Sequence, residues 1–303
     1  MFILASHTVP LATTKQRISD YACGIFEQLP SRKGVKKAIK KGSVQLNGQV
    51  VETGRWVQSG DVITLVDLEE TPPKLYEYDL EVVYEDDYLA VINKPAGVKV
   101  SGNQYRTIVN MLPQNLSPSP KTDALKWPKP VHRLDVPTSG LLMIAKTAQA
   151  HMKLGQQLEQ KTIQKTYHAI VQGTPKKAQM HIHEPIEEHA AHSEYTLLQT
   201  VASLQNETVS LVKLSPHTGR THQLRIHMAQ LGHPILGDTE YGEPGNTLLH
   251  KGLFLAATAL ELTHPVLEKP LNIHIEMPHK FKSLLERETR RWEKFKSGLV
   301  GRS

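Results

Sequence analysis

Cysteine is nearly absent: the 303 residues contain one, Cys23. A single thiol rules out an internal disulfide framework and fits a reducing compartment, so a cytoplasmic chain is expected. Long apolar runs are missing too. No stretch approaches the roughly 18 to 20 residues that cross a bilayer. The opening MFILASHTVPLATT lacks a basic n-region and a cleavage site, so it is not read as a signal peptide. No Walker-type phosphate loop, G-x-G-x-x-G turn, C-x-x-C pair or H-E-x-x-H helix occurs, which argues against P-loop, dinucleotide, thiol-redox and zincin chemistries. Repeats and low-complexity tracts are also lacking. Acidic charge falls short of basic, 30 residues against 36, and the formal net charge is +6. That imbalance hints at a polyanionic partner.

What remains is a globular composition, 39% apolar and 22% charged. The length suits one large domain plus a smaller one. The basic excess concentrates in SRKGVKKAIKKG (31–42), with Arg32, Lys33, Lys36, Lys37, Lys40 and Lys41 and no acidic residue. Val35 and Ile39 stand four apart, giving a short helix one apolar stripe, and Gly42 can end it. SVQLNGQVVETGRWVQSGDVITLV then reads as a strand, an Asn47-Gly48 hairpin turn and two further strands. A basic helix face on such a module has room for a phosphate backbone, or is only a solvated surface. The acidic, proline-containing stretch around 68–79 reads as a linker. From residue 80 onward, strand-like runs at 80–84, 88–93, 141–145, 166–172 and 208–214 are interleaved with helical patterns at 148–161 and 221–232. The class expected is α+β, a mixed, largely antiparallel sheet with flanking helices. A basic amphipathic helix and tail close the chain at 281–303, packed by Leu285 and Trp292.

Three stretches gather chemistry-bearing residues. VHRLDVPTSGLLMIAKT (131–147) carries His132, Arg133 and Asp135 in a loop that enters an apolar strand at Leu141. A carboxylate at such a strand edge needs a partner to stay ionised. HTGRTHQLRIHMAQLGHPILGD (217–238) offers Arg220 and Arg225, with Thr221 as a possible helix cap and His222 on the same helical face as Arg225. An Asp–Arg pair of this kind is structural or catalytic, and spacing alone does not choose. QKTYHAIVQGTP (164–175) places Tyr167 in a strand, either as core packing or as a flat ring on which an unstacked base can lie. HIHEPIEEHAAH (181–192) is rich in histidine, but its spacing fits no recognised metal motif. His181 and His183 alternate on a strand and could ligate zinc; the segment reads rather as an exposed hairpin, and no metal is expected.

Together these stretches resemble the RluA-type family of RNA pseudouridine synthases. HRLDVPTSGLLMIAK is similar to its H-R-L-D-x-x-T-S-G-L-L-x-x-A-K signature, with Met143 at a leucine position. VVYEDDYLAVINKPAGV, KTYHAIVQG, TGRTHQLRIHMAQLGHPILGD and LELTHP resemble four further motifs in order. The resemblance covers about 80–280, the expected catalytic domain. Residues 14–67 resemble the S4 RNA-binding domain, a small α/β module. The resemblance implies an isomerase that converts uridine to pseudouridine in structured RNA without metal or other cofactor. Asp135 would be the catalytic carboxylate, attacking C1′ or taking a proton from C2′. Arg225 would pair with it, and Tyr167 would stack on the flipped base and help remove the C5 proton. Arg133 would fill the gap left in the RNA, Leu224 would wall the pocket, and Arg220 and His132 would contact substrate. The six basic residues of 32–41 would hold RNA. Ribosomal RNA of the large subunit is the expected target ahead of transfer RNA, with no membrane partner and a monomeric enzyme. The other reading is a non-catalytic RNA-binding assembly factor on the same fold.

Overall fold

The structure is a computed structural model that describes residues 2–11, 15–67, 73–242 and 251–300. It divides into two compact units, Met1–Pro72 and Pro73–Ser303. In the first, β1 (Phe2–Thr8), β2 (Gln16–Arg17) and α1 (Ile18–Tyr21) precede α2 (Arg32–Lys40). Then follow β3 (Val44–Leu46), β4 (Gln49–Val50), β5 (Trp56–Val57) and β6 (Val62–Asp67). Four of the strands make a sheet in the order β1-β6-β3-β4, and β2 pairs with β5. Asn47 and Gly48 both hold positive φ, 51° and 76°, the pair of left-handed residues that a two-residue hairpin turn requires. Helix α2 starts where the Ser31 hydroxyl accepts the Gly34 N–H at 3.1 Å. It buries Val35, Ala38 and Ile39 against Val44, Leu46, Ile63 and Leu65, so its lysines are left on the outer face. The unit begins earlier than residue 14, because β1 pairs with β6 along its length.

In the second unit come β7 (Glu81–Glu85), β8 (Leu89–Lys94), α3 (Ile108–Asn115), β9 (Ala124–Pro130), β10 (Ser139–Thr147) and α4 (Ala148–Glu159). They are followed by β11 (Gln164–Gln172), β12 (Gln179–Ile182), β13 (Ser193–Ser203), β14 (Glu207–Pro216) and α5 (Gln223–Gln230). The unit ends with β15 (Leu255–Thr263), β16 (Pro270–His274) and α6 (His279–Val300). One ten-stranded sheet runs β12-β13-β14-β11-β15-β10-β8-β7, with β16 beside β15 and β9 beside β10. It is the mixed, largely antiparallel sheet of an α+β fold, and β10 with β15 is its parallel pair. Of the linker expected at 68–79, residues 68–72 lie outside the described residues. The rest is strapped to α3: the Asn110 carbonyl accepts the Tyr76 N–H at 3.0 Å, and Asn115 Oδ1 accepts the Leu80 N–H at 2.8 Å.

Strand β10 explains why the sheet is covered on both sides. Its side chains alternate, so Leu142 and Ile144 enter the core beneath α3, while Leu141 and Met143 enter the core beneath α4. A strand buried on both faces reads as a continuous apolar run rather than an alternation. Gly140 opens this strand at φ 112°, and a Cβ there would stand 2.1 Å from the Ala257 carbonyl oxygen. The absent side chain lets β15 run parallel to β10 right behind the Asp135 loop. Helix α6 packs Phe281, Leu284 and Leu285 into a third cluster, and Trp292 is half-buried. Among the described residues no helix is long and apolar enough to cross a membrane.

Candidate active site

Asp135 lies in the connection from β9 to β10, which closes in a turn where the Asp135 carbonyl accepts the Thr138 N–H at 3.1 Å. Two contacts pin this turn to the loop after β8. The Val136 carbonyl accepts the Gly97 N–H at 2.7 Å, and Lys94 Nζ reaches the same carbonyl at 3.3 Å. Lys94 is completely buried and also donates to the Pro95 and Val98 carbonyls, each at 2.8 Å. Burial pushes its pKa down to about 8, against the opposing pull of the Asp135 carboxylate. The Asn-Lys-Pro-Ala-Gly stretch therefore braces the Asp135 loop from behind.

Asp135 opens into a cleft shared with Arg133, Tyr167, Arg220 and Leu224. Its carboxylate is mostly covered, with 18% of the side chain exposed, and His222 Nε2 stands 3.8 Å away. Tyr167 projects from β11, nearly buried, and its hydroxyl pKa is raised by burial first and by the Asp135 charge second. Lys165, two residues earlier on β11, lines the same cleft, and burial lowers its pKa. Thr138 is also in the lining, and its buried hydroxyl has no partner among the described residues. A buried hydroxyl left open in a cleft is a natural contact for a ligand. Arg133 is exposed at the mouth. Arg220 donates from Nε to the Ala190 carbonyl at 3.1 Å and is exposed.

Three expectations need correction. Arg225 lines the cleft but does not pair with Asp135. Its Nε and a terminal nitrogen each lie 2.7 Å from Asp238, one on each carboxylate oxygen, and the latter nitrogen also reaches Glu240 at 3.0 Å. The reason is geometric. The turn after α5 folds Asp238 back beside Arg225, fully buried, and offers both oxygens to the guanidinium fork. Burial alone would raise the Asp238 pKa; the Arg225 hydrogen bond and two backbone N–H donors outweigh it and hold it below the usual range. The side chain that does approach Asp135 is His222, three residues earlier in the chain and held at φ 54° just before α5, so it leaves the helical face that Arg225 occupies.

His132, expected to contact substrate, instead braces β10 from the loop before it. Its Nε2 accepts the Met143 N–H at 3.1 Å, and burial, with Lys165 adding, pushes its pKa down to about 3. Nor does Thr221 cap α5. The turn before that helix is held by Gln223, whose side-chain oxygen accepts from Thr218 Oγ1 at 2.6 Å and from the Arg220 N–H at 3.0 Å. Lys165 was open to discovery from sequence, since residues two apart on a strand share a face with Tyr167. Thr138 and Lys94 carry no such signal; only the folded loops bring them to Asp135.

Residues 88–230 match the family described as RNA pseudouridylate synthase. An uncharacterized RNA pseudouridine synthase of Synechocystis sp. is 34% identical over 282 residues, covering 86% of each chain. The ribosomal large subunit pseudouridine synthase D of Vibrio cholerae is 33% identical over 305 residues, covering 90% of this chain and 91% of its own. Among solved structures, human RNA pseudouridylate synthase domain containing 4 superposes with a TM-score of 0.56 at 25% identity, covering 68% of this chain and 92% of that one.

Proposed function

This chain belongs to the RNA pseudouridine synthase family, and from that premise we propose that Asp135 is the group that breaks and remakes the glycosidic bond. The observation that carries the reading is convergence: three separate stretches place Asp135, Tyr167 and Leu224 around one cleft. Two routes start from this carboxylate. In one, it attacks C1′ and the C1′–N1 bond breaks, leaving a sugar ester and a uracil anion. In the other, it takes the C2′ proton as that bond breaks, leaving a glycal. The uracil then turns, C5 bonds to C1′, and the C5 proton departs.

Tyr167 fits both routes. Its hydroxyl is held protonated in the resting site, so it begins as a stacking face and hydrogen-bond donor rather than a base. Bond formation at C5 displaces the ester, or returns the proton to C2′ of the glycal, so Asp135 is again a carboxylate when the C5 proton departs and can accept the proton that the Tyr167 hydroxyl relays from C5. Tyr167→Phe keeps the ring and is expected to bind substrate RNA with unchanged affinity while turnover falls at least tenfold. Single-turnover kinetics on a stem-loop substrate checks this, and an unchanged rate would confine Tyr167 to stacking.

Leu224 walls the pocket and keeps water from the detached sugar, and Arg133 at its mouth occupies the space vacated by the extruded nucleotide. Extrusion costs a few kcal/mol of stacking, which such a contact offsets. Arg220 meets phosphate at the rim. The target we favour is ribosomal RNA of the large subunit, on the strength of a relative named for that substrate. A monomer working in the cytoplasm is the simplest form of this reading. The assembly-factor alternative loses ground because the cleft is complete.

The first unit serves as an S4-like RNA-binding module. Lys33, Lys36, Lys37 and Lys40 are exposed on the outer face of α2, and Arg32 is drawn into an ion pair with Asp20; Lys41 follows at the end of the helix. Phosphate contacts give affinity without sequence preference, each contributing about 0.7 to 0.9 to the log–log salt slope. Changing Lys33, Lys36, Lys37 and Lys40 to glutamine leaves the buried face of α2 intact. Binding to long structured RNA is expected to weaken and its salt slope to fall by about 3 to 3.5 if all four lysines meet phosphate. A wild-type slope would make this helix a solvated surface only.

A further inference from the structure

The histidines outside the cleft are brought together by the fold in a way their spacing does not announce. His181 comes from β12, His192 ends the connection from β12 to β13, and His217 follows β14. Their ligating nitrogens all lie within 4.8 Å of one another. We propose that His181, His192 and His217 bind one divalent transition-metal ion, with zinc the best match, at the rim of the catalytic cleft.

The spacing is that of a metal site. His181 Nδ1 and His192 Nε2 are 3.1 Å apart. In a tetrahedral zinc site with Zn–N bonds of about 2.0 to 2.1 Å, neighbouring nitrogens stand about 3.3 to 3.4 Å apart. Two of the three donors are therefore already near the required separation, and the third, on exposed His217, lies within 4.8 Å of both and converges once that ring turns out of its stack on His192. His192 stacks on His183 and on His217, each at a centroid distance of 4.2 Å. Glu194, 3.7 Å from His217 Nε2 and hydrogen-bonded to Gln179, supplies the carboxylate that commonly orients a metal-bound histidine. Three imidazoles favour zinc, nickel or copper over magnesium or calcium. The fourth position is left to water.

The ion would act as a clamp. Thr218 Oγ1 accepts the His192 N–H, and the His192 carbonyl accepts the His217 N–H, both at 2.9 Å. Arg220 Nε reaches the Ala190 carbonyl across the same seam. A metal joining His181, His192 and His217 fastens the 183–192 connection to the turn that carries Arg220, and places positive charge where RNA enters.

The test uses untagged full-length protein without RNA, dialysed against zinc alone with a chromophoric chelator as competitor, and cobalt as a spectroscopic substitute. The expected result is one zinc per chain, a tetrahedral cobalt ligand-field spectrum and a zinc-dependent rise in Tm. His181→Ala and His217→Ala remove exposed side chains and should each weaken binding at least tenfold, whereas His274→Ala, an exposed histidine on β16, should not. Zinc binding equal to wild type in the His181→Ala/His217→Ala double variant, or no stoichiometric binding by wild type at micromolar free zinc, overturns the site. Neither result bears on the Asp135 reaction, which is measured separately.

Discussion

Arg225→Ala is expected to unfold easily rather than merely turn over slowly. The guanidinium is 4% exposed and its Asp238 partner is fully covered, so truncation strands a buried carboxylate. Breaking a buried pair from one side costs about 3 to 5 kcal/mol. For a domain of this size that lowers Tm on the order of 10 °C. Asp238→Ala should cost about as much, because it strands the guanidinium instead. Replacing both partners with apolar residues, as in Arg225→Met/Asp238→Leu, should cost less than either single change, since no unpaired charge remains. Thermal melts of the four proteins check this. Arg225→Ala with an unchanged Tm but abolished turnover would return Arg225 to the reaction and contradict its role as a brace.

That arginine marks the limit of what could be read from the sequence. The pairing with Asp135 was inferred from motif positions, and only the fold brings Asp238, 13 residues further along the chain, back against α5. Elements with one dominant pattern were legible. The apolar run at 141–145 is β10, buried on both faces, and Asn47-Gly48 is the hairpin turn its composition demands. Elements with mixed patterns were not. Helix α3 carries Pro113, which hides its periodicity, and β13 is exposed over its middle, which breaks its alternation. The same contrast holds within the site. Asp135, Tyr167 and Leu224, from three separate motifs, line one cleft. The histidine cluster needed the fold, since His192 and His217, 25 residues apart in sequence, are brought side by side only where β13 pairs with β14, Ser193 opposite Pro216.

Asp135→Asn is the change expected to have the largest effect on chemistry and the smallest on structure. The amide is nearly isosteric, and the turn is fixed by backbone contacts through Asp135, Val136 and Thr138 that the substitution leaves alone. An amide is a poor nucleophile and cannot take up the C2′ proton, so both routes to bond cleavage close. The variant should therefore melt with wild-type Tm, bind substrate RNA with wild-type affinity and form no pseudouridine. Loss of RNA binding alongside turnover would instead mean that the carboxylate organises the cleft. Asp135→Ala is expected to give the same kinetic result.

The measurement that reaches the central claim most directly is release of tritium from RNA labelled at uracil C5, since bond formation at that carbon expels its hydrogen. Large-subunit ribosomal RNA from cells lacking this protein is the substrate. Wild-type protein should release one tritium for each pseudouridine formed, and Asp135→Asn should release none above the protein-free rate. Tritium release by the Asp135→Asn protein at a rate near wild type would show that the reaction does not run through this carboxylate.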